Sequence, residues 1–278
     1  MASRRMSGSS RQNLALRLGT AGVLAPLIIY LLYFGPAWGF VTLTGIMCGL
    51  GAAELYRMVA PRQVVVHAWG IAATLCVFGC FALAPETRVL GLVVIALVCG
   101  GMIVSLATPE PIESAAQRMG WALAGPLYVG GLFGTVVATF AEGRRASWVI
   151  LALMCGFMSD TAGYFVGSRW GKRPLYPRVS PKKTWEGALA GLSAGLLSGL
   201  FAHAWLLPEL ALVPAIVLSL VATATGQAGD LCESLIKRST GMKDSGDILP
   251  GHGGVLDRSD AMLFASAAVY TYLVLWGA

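Results

Sequence analysis

Charge is what this sequence has least of. Of its 278 residues only 12% are Asp, Glu, Lys or Arg, while 56% are hydrophobic. Soluble domains carry about 25% charged residues, and a soluble chain of this size would wear such an apolar excess on its outside. A soluble fold is therefore excluded. Histidine is scarcer still, at three copies. The six cysteines, Cys48, Cys76, Cys80, Cys99, Cys155 and Cys232, stand within or at the edge of apolar stretches and make no metal-ligand pattern with histidine. Cys76 and Cys80, four apart on one helix face, read as membrane packing rather than a redox pair. No internal repeat is visible. No small-residue cleavage site follows the first apolar block, which is expected to remain as a membrane anchor.

What the sequence does have is long apolar runs. They come in blocks of about 18 residues or more, the length a helix needs to cross a bilayer, and the 35 glycines suit close helix packing in lipid. The expected fold is all-α, a polytopic membrane protein of about nine transmembrane helices. The predicted spans run Leu14–Phe34, Ala37–Arg57, His67–Ala84, Val89–Ala107, Met119–Phe140, Ser147–Gly167, Gly187–Leu207, Leu210–Gly229 and Ala261–Trp276. Three regions are expected: a polar, basic cytoplasmic tail over 1–12, the first membrane helices (about five spans) over 13–145, and a membrane region with two long cytoplasmic loops over 146–278, where the chemistry is to be sought. Trp38, Trp69, Trp121, Trp148 and Trp205 fall near block ends, as an interfacial aromatic belt requires.

The net charge of +6 does not point to nucleic acid. With nine spans, all but three of the 20 Lys and Arg lie on the same side as the N-terminus, the exceptions being Arg88, Arg144 and Arg145. Positive residues stay inside, so the expected topology is N-in, C-out. Glu54, near the end of the second span, is expected to pair with Arg57 at the interface.

Two long cytoplasmic connections, Ser168–Glu186 and Leu231–Asp260, hold most of the remaining charge, and connections this long are usually functional. The eighth span leads into "GQAGDLCESLIKR", where Asp230, Glu233 and Lys237 follow at helical steps on one face, with Ser234 on the same side. Glu233 and Lys237 read as an intrahelical pair on a solvated helix end. Asp230, still at membrane depth, is a candidate ligand. The turn-rich "PGHGG" frees backbone N–H groups for a bound anion, with His252 as a possible donor. Then "VLDRSDAM" opens the last span with Asp257 and Asp260 three apart, hard oxygen donors of the kind Mg²⁺ takes. In "SPKKTWEG", Lys182 and Lys183 either meet anionic headgroups or hold phosphates, and Ser180 or Thr184 can cap the next helix. Asp160, in "FMSDTAGYFVGSRWG", is a charge inside an apolar block and is expected to face the site.

Taken together, "SLIKRSTGMKDSGDILPGHGGVLDRSD" closely resembles the signature of the CDP-diacylglycerol synthase family, the integral-membrane phosphatidate cytidylyltransferases of bacterial type. The matching positions are Ser234, Lys237, Arg238, Lys243, Asp244, Gly246, Pro250, His252, Gly253, Gly254, Asp257, Arg258 and Asp260. The upstream "SDTAGYFVG" and "SPKKTWEG" also resemble family segments, so the likeness covers Ser159 to the C-terminus. The first half agrees only in hydropathy and span count. One departure is Ser259, where the family usually has an apolar residue or Thr.

The resemblance implies a homodimeric inner-membrane enzyme with its active site facing the cytoplasm. Its substrates would be CTP and phosphatidic acid, and its products CDP-diacylglycerol and pyrophosphate. It further implies a divalent cation, Mg²⁺ or Mn²⁺, at the carboxylates matching Asp230 and Asp257, with K⁺ as a second cation and Asp260 and Asp160 close by. On this reading Asp230, Asp257 and Asp260 bind metal, and Lys237, Arg238 and Lys243 bind phosphates. His252, Gly253 and Gly254 form a cradle, and Arg258 clamps phosphate or orients Asp257. Asp244 belongs to the same catalytic set, with Ser234, Lys182, Lys183 and Asp160 on the substrates. Two other readings are a CTP-dependent lipid kinase, using the same ligands, and a secondary transporter with Asp160 and Asp230 as ion sites. The missing repeat and the gathering of charge at one end speak against the transporter.

Overall fold

In the computed structural model the described residues are 22–61, 63–83, 87–142, 145–248 and 253–276. A backbone in lipid has no water to bond with, so apolar runs satisfy their own N–H and C=O groups by coiling into helices. Nine helices form among the described residues: α1 Gly22–Tyr33, α2 Ala37–Val59, α3 Val64–Leu83, α4 Thr87–Ala107, α5 Ile112–Ala141, α6 Arg145–Trp170, α7 Trp185–Leu206, α8 Leu212–Ser239 and α9 Leu256–Trp276. All but α1 are long and apolar enough to cross a membrane, and each of the nine predicted spans has its helix. The chain is a polytopic all-α protein. The basic tail and the start of the first span lie outside the described residues.

Local chemistry explains the irregular points. Pro126 sits inside α5 and lacks the N–H its turn requires, and the helix loosens into a π turn over Leu127–Gly131 before resuming. At 28 residues α8 outruns the roughly 20 needed for a bilayer, so its last turns carry the charged face beyond the apolar stretch. The final helix begins at Leu256, earlier than predicted, and takes Asp257 and Asp260 into its first turns.

The connection after α6 is not a bare loop. It holds a short antiparallel hairpin, β1 Pro174–Tyr176 and β2 Ser180–Thr184, with Pro174 opposite Thr184 and Tyr176 opposite Ser180. Strands this short, rich in Pro and Lys, carry no alternating pattern to betray them. The Glu186 carboxylate accepts from the N–H groups of Lys172 (3.1 Å) and Arg173 (3.3 Å) and closes the hairpin onto α7. Thr184 caps α7 by accepting from Gly187 N–H at 3.2 Å.

Two apolar cores meet on α9. One joins Cys48 and Leu55 of α2, Phe133 of α5, Val149 of α6, and Leu256 and Leu263 of α9, and so spans the boundary expected at 145. The other joins Leu151 of α6, Leu207, Leu218 of α8, and Ala265 and Val269 of α9. Outward faces stay apolar, as on α4 with Leu92, Ile95 and Ile103 exposed, which is what lipid contact asks for. Trp38 and Trp205 are exposed as an interfacial belt predicts, whereas Trp148 is buried in the second core. The six cysteines are all free.

Candidate active site

The charged face of α8 turns inward, toward α9 and the hairpin. Asp230 pairs with Lys183 of β2 and lies 3.4 Å from the Ser234 hydroxyl. One turn on, Lys237 reaches two carboxylates at once, Glu233 at 3.2 Å and Asp257 of α9 at 2.6 Å. Asp257 is held on its other oxygen by the N–H groups of Ser245 (2.8 Å) and Gly254 (2.9 Å). Asp260, buried a turn later, accepts from Ala261 N–H at 2.7 Å and lies against Glu233. Glu233 is not the solvated residue that helix spacing suggested. It is fully buried, held by Lys237 as an ion pair with Asp260 against it.

Glu54 departs further from expectation. It does not pair with Arg57, which is exposed. Its carboxylate, 0% exposed, accepts from Val255 N–H (2.9 Å), Leu256 N–H (3.0 Å) and the Ser245 hydroxyl (3.1 Å). The start of α9 is thus capped by α2 from across the bundle, its N–H groups and dipole both met by a negative charge. The sequence signal was an ionisable group in an apolar span. Nearby Arg57 offered a local partner that hid it.

Two hollows flank α6. A cavity of about 480 Å³ opens between α6, the hairpin, α7 and α8, lined by Asp160, Lys182, Lys183, Thr184, Gln227 and Asp230 among others. Gln227 fixes its floor by donating 3.0 Å hydrogen bonds to the Ser159 hydroxyl and the Ala188 carbonyl. Asp160 is exposed to this cavity, with Asp230, Lys183, Asp260 and Arg258 in its electrostatic neighbourhood. A second hollow of about 480 Å³ is almost wholly apolar. Ile28, Leu43, Met47, Met154 and Phe157 contribute to its lining, and among the described residues Arg258 is its one charged lining residue, beside Ser259.

The other expected site residues are placed as follows. Arg238 ties α8 to the hairpin turn, donating to the Val179 carbonyl at 3.3 Å and to the Met242 carbonyl at 3.3 Å. Lys243 and Asp244 are exposed on the turn after α8. Gly253 has φ +85°, a conformation that calls for glycine, and the Gly254 N–H goes to Asp257 rather than to open space. His252 lies outside the described residues. Glu233, Glu54, Gln227 and Ser245 join the site from the structure alone.

The cluster holds carboxylates in excess of the ammonium groups that face them, and such hard oxygen donors are the kind a divalent cation takes. Among the described residues, however, no three acidic, His or Cys side chains stand ready as a ligand set. Lysine ammonium groups occupy Asp230 and Asp257 instead, so a cation shared by those carboxylates requires at least one lysine to swing away.

Comparison with known proteins joins this geometry to a family. A sequence model described as "Cytidylyltransferase family" matches residues 15–276. A protein named phosphatidate cytidylyltransferase from Brucella suis biovar 1 is 34% identical over 94% of this chain and 93% of its own length. One of the same name from Mycobacterium leprae is 39% identical over 52% of this chain and 46% of its own. With a match from the first helix to the last, the chain belongs to the cytidylyltransferase family of nucleotidyltransferases.

Proposed function

We propose that the protein transfers the cytidylyl group of CTP to phosphatidic acid, giving CDP-diacylglycerol and pyrophosphate at the cytoplasmic membrane surface. The observation that carries this is the placement of the signature charges: Asp230 and Lys237 of α8 each enter an ion pair, with Lys183 and with Asp257, and the Lys183–Asp230 pair lines a cavity bearing charged side chains, in a chain otherwise built of apolar helices. Relatives bearing the name phosphatidate cytidylyltransferase across nearly the whole chain support the substrates. The lopsided Lys and Arg distribution supports the cytoplasmic face.

In the reaction an oxygen of the lipid phosphate forms a bond to the α-phosphorus of CTP. The bond from that phosphorus to the bridging β-phosphate oxygen breaks, and pyrophosphate leaves with the electron pair. A phosphate monoester is already ionised near neutral pH, so the protein need not supply a strong base. Its work is to bring two polyanions together and neutralise the leaving group. Lys182 and Lys183 line the polar cavity and meet the triphosphate there. Lys237, held between Glu233 and Asp257, keeps a positive charge beside the reacting phosphates, and Arg238 and Lys243 extend that charge toward water. Asp230, Asp257 and Asp260 would hold a divalent cation, which when bound supplies charge neutralisation on the triphosphate. The apolar hollow gives the acyl chains a place, with Arg258 at hand for the lipid phosphate.

The test is incubation of the purified protein with phosphatidic acid, Mg²⁺ and CTP labelled in the base and at the α-phosphate. Both labels should appear in a lipid product, with pyrophosphate released in equal amount. Release of CDP with phosphate added to the lipid would instead assign a CTP-dependent kinase and overturn the proposal.

A further inference from the structure

We infer that Glu54 is a positioning residue for this reaction, a clamp in α2 that fixes Asp257 without touching substrate; the inference rests on the cytidylyl-transfer reading. Its contacts form two layers. In the first, the carboxylate holds the N–H groups of Val255 and Leu256 and the hydroxyl of Ser245. In the second, the same turn and helix start grip Asp257: Ser245 and Gly254 donate their N–H groups to one carboxylate oxygen, and the Ser245 hydroxyl stands 3.4 Å from Asp257 N. The orientation of Asp257 therefore depends on a turn whose own place is set by Glu54.

Directional bonds to a buried charge hold that turn more narrowly than apolar packing does. The surroundings are shaped for the carboxylate. A Cβ on Gly246 would come within 2.7 Å of one Glu54 oxygen, and a Cβ on Gly254 within 2.7 Å of the other. Two glycines of the signature thus leave room for a side chain that lies 191 residues or more from its partners in sequence. The polar cavity has no part in the clamp: the residues lining it come from α6, the hairpin, α7 and α8.

Glu54→Gln keeps the shape of the side chain but replaces one acceptor by a donor, which faces N–H groups it cannot bind. In full-length protein reconstituted with CTP, phosphatidic acid and Mg²⁺, kcat should fall by about 10- to 100-fold, the scale of a small misplacement of a reacting group. The thermal midpoint should fall, because buried N–H groups lose an acceptor, but kcat counted per folded molecule should fall as well while KM for CTP stays within about twofold, a split that a merely structural residue would not give. Gly246→Ala, which keeps the charge and crowds the carboxylate, should show the same kcat-selective loss, and it decides the matter if Glu54→Gln fails to fold. The two losses should not add in the double variant, because they act through one contact. Wild-type kcat in folded Glu54→Gln would overturn the clamp, as would losses in both variants that only track the folded fraction. Wild-type protein that makes no cytidylyl lipid would instead sink the assigned reaction, so the two failures are separable.

Discussion

Lys237 shows at the scale of one residue why the site is built as it is. Its ammonium is nearly buried between Glu233 and Asp257, a place where a lone charge would be expensive and a paired one is tolerated. Removing it in Lys237→Met leaves two carboxylates facing a low-dielectric interior. Stability should drop by about 3–5 kcal/mol, read as a shift in an SDS-titration unfolding curve. Asp257 has the opposite profile. Asp257→Asn preserves volume and one acceptor oxygen, so insertion and folding should survive, while cytidylyl transfer falls on the order of 100-fold or more because a charge aimed at the reacting centre is lost. Turnover near the wild-type rate in the purified variant would remove Asp257 from the catalytic set. Sequence reading reached both residues through the i, i+3 and i, i+4 spacing of α8 and the Asp-Arg-Ser-Asp run. It could not reach Glu54, whose partners are fixed by tertiary contact alone.

Elements matter here through how closely they approach. In α7 the glycines Gly187, Gly191, Gly195 and Gly199 recur every four residues and let the helix press against α6 and α8. A Cβ at Gly195 would collide with Thr223 of α8, and one at Gly191 with Gln227 and Ser159. Such small-residue contacts carry helix association in lipid, where apolar surface gains nothing by leaving its surroundings. Gly195→Leu should push α7 from α8 and cost about 1–3 kcal/mol, seen as a lower melting temperature in detergent with the secondary structure retained. An unchanged melting temperature would mean that the bundle absorbs the side chain by sliding. The hairpin is the element least legible beforehand. Its Lys182 and Lys183 were visible as charges, but the arrival of Lys183 at Asp230 depends on how β2 is turned by the Glu186 and Thr184 bonds.

At the scale of the whole molecule, α6 is a partition. Asp160 on it lines the polar cavity, and Met154, Phe157 and Met158 on it line the apolar hollow. A water-soluble nucleotide and a lipid can thus approach one charged cluster from different sides. Met154→Trp, which fills part of the apolar hollow, should raise KM for long-chain phosphatidic acid by about tenfold, or about 1.4 kcal/mol, and leave KM for CTP unchanged. A short-chain analogue should be little affected. Equal effects on both substrates, or none on either, would place the acyl chains elsewhere.

The amino-acid sequence by itself determined the class, the number of helices and the family. Those follow from local quantities: apolar runs long enough for a bilayer, and polar and glycine positions at fixed spacing. It also marked Asp230, Asp257 and Asp260 as the acids to watch. Only the tertiary structure decided which charges meet. It put Lys183 on Asp230 and Lys237 between two acids, buried Glu233, and brought Glu54 to the start of α9. The reason is physical. Helix formation in lipid is dictated by neighbours along the chain, whereas a charge kept from water takes whatever partner the packing of distant helices brings within reach.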